Sequence, residues 1–442
     1  MKNNQLEDSR ILSDQLDKYV DRVVLVAGFV HKKRILGGIT FINLRDRHGL
    51  IQIVVEEKAE VEKLRGLQIG TVLEVKGTVF KEVRAPGGYE IHQPEIKVIV
   101  AIENEPPIEI DKPLSHKSEN LDTLFDYRAI GLRNINEANI FRVRASLLRE
   151  IRNYLIEHDF IEINTPKLVG GAAEGGAEVF KLDYFGKEAT LAQSPQLYKQ
   201  IMVGVFERVF EIGPAFRAEL SATTRHVSEV TMLDVEIGFI NEHNDVLNLI
   251  QDMLYSVLVK VYDKENKILK QLNAPELILT KEFPRFTMAE IHEMYQKNTK
   301  VDVSQELDLT PDEEKWICDY AKKKLNCEAV FATGLPQSKM KFYHMKGDNN
   351  QTRSADLLFR GIEISTVPQR EHRYEVLVEQ MKLAGVDPDS SGFASYVSAF
   401  KYGLPPHGGF GFGIDRLTEK VIGLHNVKEA ILFPRDINRL AP

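Results

Sequence analysis

Cysteine and tryptophan are nearly missing from this chain of 442 residues, which has 2 Cys and 1 Trp. The two thiols, Cys318 and Cys327, are too few for a disulfide framework or a thiolate zinc cage, and their scarcity fits a reducing compartment, so the expected location is cytoplasmic. Long apolar runs are missing as well. Nothing approaches the ~20 residues that a membrane helix needs, and Met1–Arg10 is polar rather than signal-like. No repeat period or low-complexity block stands out. Basic excess is also lacking: 57 Lys+Arg face 65 Asp+Glu, a formal net charge of -8. That balance disfavours a protein that coats nucleic acid through bulk charge, because phosphate backbones attract basic surfaces. What is present is ordinary globular chemistry, with 43% hydrophobic and 28% charged residues, and the length allows two or three domains at ~100–200 residues each.

Short strands punctuated by glycine fill the first hundred residues. Val23–Val30 is apolar and β-branched, Thr40–Leu44 alternates, and Ile51–Val55, Thr71–Phe80 and Ile96–Ile102 follow. Turns are expected at Gly37-Gly38, His48-Gly49, Gly70 and Pro86-Gly87-Gly88. This pattern suits a small closed barrel, and on strands alone an oligonucleotide-binding barrel and a generic β-domain are equally good readings. Glu105-Pro106-Pro107 through Pro113 is proline-rich and acidic and reads as a linker. The expected domains are therefore 1–104, a linker or hinge at 105–135, and 136–442.

Helical spacing begins beyond the linker. Ile140, Val143, Leu147, Leu148, Ile151, Tyr154 and Leu155 predict an amphipathic helix over Ile140–His158; Asp245–Val261 is a second, and Thr310–Leu325 a third with a capping signal at Thr310-Pro311-Asp312-Glu313. Arg208–Ile212, Met232–Ile240 and Asp356–Ile364 read as strands. Strands mixed with helices, without regular βαβ alternation, indicate an α+β domain on a mainly antiparallel sheet.

Four clusters carry chemistry. Phe216-Arg217-Ala218-Glu219, Arg225-His226 and Asp234-Val235-Glu236 have the form strand, polar loop, strand; two arginines so placed can fork onto phosphate oxygens. The run Gln193 to Lys199 contains Ser194 and Gln196. Asp356 and Glu363, near Gln369-Arg370, are carboxylates of the kind that hold Mg²⁺ against substrate phosphates. Finally, Pro405-Pro406-His407-Gly408-Gly409 leads into Gly411-Phe412-Gly413-Ile414-Asp415-Arg416, where glycines admit a flat ligand and Arg416 opens a helix. It is neither a dinucleotide fingerprint nor a phosphate loop. By itself the arginine-bearing loop would usually be a solvated hairpin loop, two carboxylates seven residues apart say little alone, and a lone Lys199 would be a surface lysine.

Together they resemble the class II aminoacyl-tRNA synthetases: Phe216–Glu219 with Arg225-His226 is similar to motif 2, Gly411–Arg416 to motif 3, and Ile140–Pro166 to motif 1. The run Ala192 to Gln200, Gln369–Arg373, Pro405–Gly409 and Leu432–Asp436 resemble the aspartyl type found in archaea and eukaryotes. The resemblance spans nearly the whole chain. It implies an enzyme that joins aspartate to ATP as an adenylate and passes it to tRNA, with Mg²⁺ as cofactor and a homodimer built on motif 1. It puts Arg217 on the α-phosphate, Arg225 and His226 on the β- and γ-phosphates, Arg416 on the γ-phosphate and adenine, Glu219 on the adenine amino group, and Gly413 beside the nucleotide. Asp356, Glu363 and Thr366 would hold the metal. Lys199 and Arg370 would meet the substrate's side-chain carboxylate, Asp234 and Gln196 its ammonium group, with Ser194 beside them, and Glu174 would lie in a mobile lid at Glu174–Glu178. In the barrel, Phe41 would stack on an anticodon base and Gln52 read its edge, flanked by Phe29 and Arg34. Lys32-Lys33-Arg34 would supply the local positive patch that the net charge hides.

Two segments depart from the family pattern. Val367-Pro368 stands where a glycine pair is usual before Gln-Arg, and Gly334, Leu335, Met340 and Lys341 replace the usual residues between Thr333 and Tyr343. Both segments are expected to border the amino-acid pocket. An ordinary aspartate–tRNA ligase, a paralogue with an altered pocket or a biosynthetic product, an asparagine enzyme, and a non-catalytic tRNA-binding module are the readings to separate. The intact Arg217, Arg225, Glu363 and Arg416 weigh against the last.

Overall fold

Alternating side chains close the first strands on themselves. In the computed structural model, which describes residues 9–114, 118–170, 178–220 and 223–442, β1 (Val23–Leu36), β2 (Ile39–Arg45), β3 (Leu50–Val55), β4 (Val72–Lys81) and β5 (Tyr89–Val100) form a closed barrel in the order β1-β2-β3-β5-β4. Val24, Val26, Ile42, Leu44, Ile51, Ile53, Val75 and Ile91 fill its interior. A register shift between Val30 and Lys32 bends β1, so that its first half pairs with β4 and its second with β2. Such a bulge is how one strand serves two neighbours in a small barrel. Two strand limits differ from expectation. β1 runs on to Leu36, and β5 starts at Tyr89 and stops at Val100, because its polar first half (Glu90, His92, Gln93, Pro94) lacks the alternation that marks a strand.

The chain divides into two compact units, Met1–Ala138 and Asn139–Pro442. Within the first, the stretch expected as a linker carries helices at Ser118–Asp126 and Arg128–Gly131. Leu121, Leu124 and Phe125 form a small core there, and Arg128 pairs with Glu137 at 3.1 Å, both fully buried.

In the second unit, β6 (Ile161–Glu162), β10 (Arg208–Phe216), β11 (Glu229–Gly238), β12 (Arg285–Thr287), β13 (Ala329–Thr333), β14 (Ser354–Phe359), β15 (Ile362–Pro368) and β16 (His407–Gly413) make an eight-stranded sheet in the order β12-β13-β14-β15-β16-β11-β10-β6. Only the outer pairs β6/β10 and β12/β13 are parallel. A separate three-stranded sheet holds β7 (Leu168–Val169), β8 (Lys181–Tyr184) and β9 (Lys187–Leu191). The expected single strand over Asp356–Ile364 is a hairpin: Arg360 (φ 49) and Gly361 (φ 83) both take positive φ, the conformation of a tight two-residue turn. One face of the large sheet presents Leu233, Val235, Leu357, Phe359, Ile364, Phe410 and Phe412 to the helices Ile135–Glu157 and His243–Lys264. Those helices bury Val143, Leu147 and Ile151, and Ile250, Leu254 and Val257, the i, i+3/i+4 stripes expected of them. The period of two then sends Asp234, Glu236, Ser354, Asp356 and Gly411 to the opposite face.

Candidate active site

That opposite face is the floor of a cleft of about 790 Å³. Of the residues expected in a site, Ser194, Gln196, Arg217, Glu219, Arg225, His226, Asp234, Asp356, Glu363, Thr366, Arg370, Gly413 and Arg416 all line it. Lys199 does not, and Glu174 lies outside the described residues, as does the lid segment up to Ala177. Glu178 lines the cleft, and its carbonyl accepts from the Ala218 N–H at 3.1 Å.

At one end stand the arginines. Arg217 lies one residue past β10, and its N–H bonds the Ser228 carbonyl at 2.9 Å, which prolongs the β10–β11 ladder into the loop. Arg225 Nη1 donates to Glu314 Oε2 at 3.1 Å. Glu314 belongs to the acidic first turn of the helix Pro311–Leu325, where sequence reading saw only a capping signal; burial pushes its carboxyl up against the opposing pull of Arg225. His226 Nε2 is 3.5 Å from Glu219, and its Nδ1 is 2.7 Å from the Thr223 hydroxyl. Arg416 donates to the Glu363 carbonyl at 2.8 Å. Asp415, which composition alone could not distinguish, anchors this end: it accepts from Arg144 at 2.8 Å and from the Thr231 N–H at 2.7 Å.

Asp356 and Glu363 meet across the β14–β15 hairpin. Asp356 pairs with Thr366 in register, and the Thr366 hydroxyl donates to Glu363 Oε1 at 2.9 Å. Asp356 Oδ1 is buried without a hydrogen-bond partner, and burial with the neighbouring Glu363 raises its carboxyl well above the usual range. An orphaned carboxylate oxygen, a second carboxylate and a hydroxyl are hard oxygen donors of the sort Mg²⁺ takes, so these residues fit that cation. Arg360 sits away from this group, in the hairpin turn, and binds Glu328 at 2.7 Å. Cys318 and Cys327 are both buried, and burial pushes the Cys318 thiol up to about 12, so no thiolate nucleophile is on offer.

The other end is a buried ionic network. Lys199 Nζ lies 2.9 Å from Asp234, 3.5 Å from Glu236 and 3.0 Å from the Phe410 carbonyl. Arg370 forks onto Glu236 at 2.9 and 3.2 Å. Burial raises the Glu236 carboxyl, but Arg370 and Lys199 outweigh that and hold it below the ordinary range. Lys199 was expected to face the substrate; it stands behind Asp234 because the helix Gln196–Phe206 packs against β11, and only Asp234 and Arg370 reach the cleft. Glu236 stood in the strand cluster with Asp234 but was given no role by sequence, although its alternation with Asp234 was the available signal. Gly409 is required here: a Cβ would strike the Val235 carbonyl and the Glu236 carboxylate. Of the two departures in sequence, Val367 turns into the core while Pro368 lines the cleft, as do Leu335, Met340 and Lys341. Proline is tolerated there because β15 ends on it.

On the barrel, register puts Phe29, Arg34, Phe41 and Gln52 on one outer face: Phe29 opposes Arg45, Arg34 opposes Phe41, and Asn43 opposes Gln52. Arg34 lies over the Phe41 ring at 5.8 Å and Arg45 over Phe29 at 5.2 Å. Gln52 is buried and donates to Glu90 at 2.8 Å. Lys33, expected in a positive patch, instead donates to the carbonyls of Leu64, Arg65 and Leu67 at 2.7–3.1 Å; Lys32 and Arg34 remain. No helix among the described residues is long and apolar enough to cross a membrane.

A cleft of this kind on a mainly antiparallel sheet, in a chain that also carries a five-stranded closed barrel, defines a class of protein, and comparison with known proteins agrees. Residues 120–437 match the family of tRNA synthetases class II (D, K and N), and residues 24–99 match the OB-fold nucleic acid binding domain. The chain belongs to the class II tRNA synthetases. Among similar proteins, the aspartate–tRNA(Asp/Asn) ligase of Thermus thermophilus is 42% identical over 98% of this chain and 100% of its own. The aspartate–tRNA(Asp) ligase of Pyrococcus abyssi is 39% identical over 95% and 96%. Similar solved structures include the asparaginyl-tRNA synthetase from Pyrococcus horikoshii complexed with asparaginyl-adenylate (TM-score 0.89, 29% identity, covering 98% of this chain and 100% of that one) and an aspartyl tRNA synthetase from Entamoeba histolytica (TM-score 0.86, 27% identity, covering 100% and 94%).

Proposed function

We propose that this chain is an aspartate–tRNA ligase, which activates aspartate with ATP and transfers it to the 3′ end of tRNA. The observation that carries the reading is the charge layout of the cleft: arginines at one end, paired carboxylates in the middle, and Asp234 with Arg370 at the other. The carboxylate of the amino acid attacks the α-phosphate, pyrophosphate leaves, and a ribose hydroxyl of tRNA then takes the acyl group. Negative charge grows on the α-phosphate as the new bond forms, and Arg217 is placed to offset it. Arg225, His226 and Arg416 orient the outgoing phosphates, and Glu219 accepts from the adenine amino group. Asp356, Glu363 and Thr366 would hold Mg²⁺, which supplies neutralisation of phosphate charge. Asp234 receives the substrate ammonium and Arg370 its side-chain carboxylate, with Ser194 and Gln196 at the pocket wall. No covalent enzyme intermediate is required, in keeping with the absence of an activated thiol.

The barrel face of Phe29, Arg34, Phe41 and Gln52 is the proposed anticodon reader. In this assignment residues 1–104 form the anticodon module, 105–135 the connection, and 136–442 the catalytic domain of a cytoplasmic homodimer. Aspartate-dependent ATP–pyrophosphate exchange, followed by charging of tRNA-Asp and tRNA-Asn transcripts, tests it. Exchange with asparagine but not aspartate overturns the substrate, and exchange without charging of either tRNA overturns the ligase.

A further inference from the structure

We propose that His344 is a specificity-determining residue of the amino-acid pocket, where its imidazole contacts the side-chain carboxylate of the substrate beside Arg370. The inference rests on the reading of aspartate as substrate. His344 lines the cleft and is 9% exposed. It is bridged antiparallel to Arg370, and residues directly opposite in such a pair send their side chains to the same side, about 5 Å apart at Cβ.

The buried His407 and the half-buried His243 spend ring nitrogens on protein partners. His407 uses both ring nitrogens, at 2.8 Å to the Pro405 carbonyl and 2.9 Å to Gln200. His243 gives its Nε2 to the Val367 carbonyl at 2.6 Å. The ring nitrogens of His344 make no hydrogen bond among the described residues; only its backbone is used, the carbonyl accepting from Gln380 at 3.0 Å and the N–H bonding Lys341 O at 3.0 Å. Its ring rests edge-on against Tyr343 at 5.0 Å. Its ring nitrogens are not among the buried polar atoms left without a partner, so they stay open to the cleft that His344 lines and are free to meet a ligand there.

Charge balance gives the same residue a task. Lys199 and Arg370 are matched one for one by Asp234 and Glu236, so the network is neutral before substrate arrives. Aspartate brings one net negative charge and asparagine brings none. Lys341, which acts on His344 next after Arg370, is exposed. Burial, then Arg370, Lys341, Lys199 and His243, keep His344 neutral in the ligand-free protein; Asp234 and Glu236 on β11 face the two cations that they pair with, and α-helical Gln380 reaches only the backbone carbonyl. A substrate carboxylate set against Arg370 reverses the sign of the nearest charge, which favours proton uptake by the imidazole. Binding of aspartate, and not of asparagine, is thereby linked to one proton.

Pyrophosphate exchange with aspartate, measured from about pH 6 to 9, tests this. In the unmodified protein KM for aspartate should climb by up to about tenfold per pH unit between the lowered pKa of the free state and the higher pKa of the bound state, and level off above the latter. His344→Gln keeps a neutral donor and loses the titration, so its KM should be higher at low pH and flat across the range. His344→Leu should raise KM by about tenfold or more, with kcat and the KM for ATP within about twofold. Calorimetry of aspartate binding in buffers of different ionisation enthalpy should show a proton taken up by the unmodified protein and not by His344→Gln. Variants that keep the original aspartate KM and pH profile overturn the proposal, and so do equal losses in kcat and in the KM for ATP, which would mark a structural role. An unmodified protein that shows no aspartate-dependent exchange overturns the substrate reading itself, and with it the role of His344.

Discussion

Glu236→Gln removes one charge from a network with nowhere to send the remainder. Side-chain exposures of Lys199, Asp234, Glu236 and Arg370 are 1%, 4%, 0% and 3%, and Glu236 is within 3.5 Å of Lys199 and 2.9 Å of Arg370. Breaking a buried ion pair by removing one partner costs about 3–5 kcal/mol, because the other charge is left buried. At ~2–4 °C per kcal/mol for a domain of this size, melting of the catalytic unit should fall by roughly 10 °C. The chain has 1 Trp, Trp316, in the same unit and stacked on Tyr320 at 5.5 Å, so tryptophan fluorescence follows this unit alone. Adding Arg370→Met should recover part of the loss, since the double variant no longer buries an unmatched guanidinium, and the coupling should be about 0.5–3 kcal/mol. A pH series supplies the sign. Glu236 is held below its ordinary value in the fold, so its contribution is present at neutral pH and lost as pH falls through the folded-state pKa; the variant should lack that component. A loss below about 1 kcal/mol, or strict additivity with Arg370→Met, would refute the network as drawn.

Three further outcomes are expected. Arg217→Ala should lower kcat for exchange by about a hundredfold or more, as for removal of a transition-state donor; near-normal exchange would exclude the α-phosphate role. Asp356→Asn should raise the Mg²⁺ concentration for half-maximal exchange by about tenfold or more, measured by titration after chelation, and an unchanged requirement would move the cation elsewhere. Phe41→Ala should weaken tRNA binding by about 1–3 kcal/mol through lost stacking, seen as a higher KM for tRNA, and leave aspartate exchange untouched; equal KM values for tRNA would remove Phe41 from the anticodon face.

Local pattern made much of this legible. The i, i+3/i+4 stripe of Ile140, Val143, Leu147 and Ile151 announced the helix Ile135–Glu157, and the Thr310-Glu313 box placed the start of Pro311–Leu325, where Thr310 accepts from the Glu313 N–H. Period-two alternation announced the core of the barrel. It failed where polarity masked the strand, at Glu90 to Pro94 of β5, and where a turn lacked the usual Asn-Gly or Asp-Gly signal, at Arg360-Gly361. Of the residues that the family resemblance put in the site and that are described, all but Lys199 line the cleft, while Glu314, Tyr343 and His344 join them without a motif to announce them.

Sequence by itself therefore determined the fold class, the family likeness and the identity of the charged groups, since periodicity, capping and motif spacing are local properties of the chain. Tertiary structure decided what those groups face. Lys199 turns to neutralise Asp234 and Glu236, Arg225 meets Glu314 from a helix 89 residues away, and His344 comes to lie in the cleft opposite Arg370. Burial and pairing depend on distances between segments remote along the chain, and those distances are set only when the sheet and its helices pack.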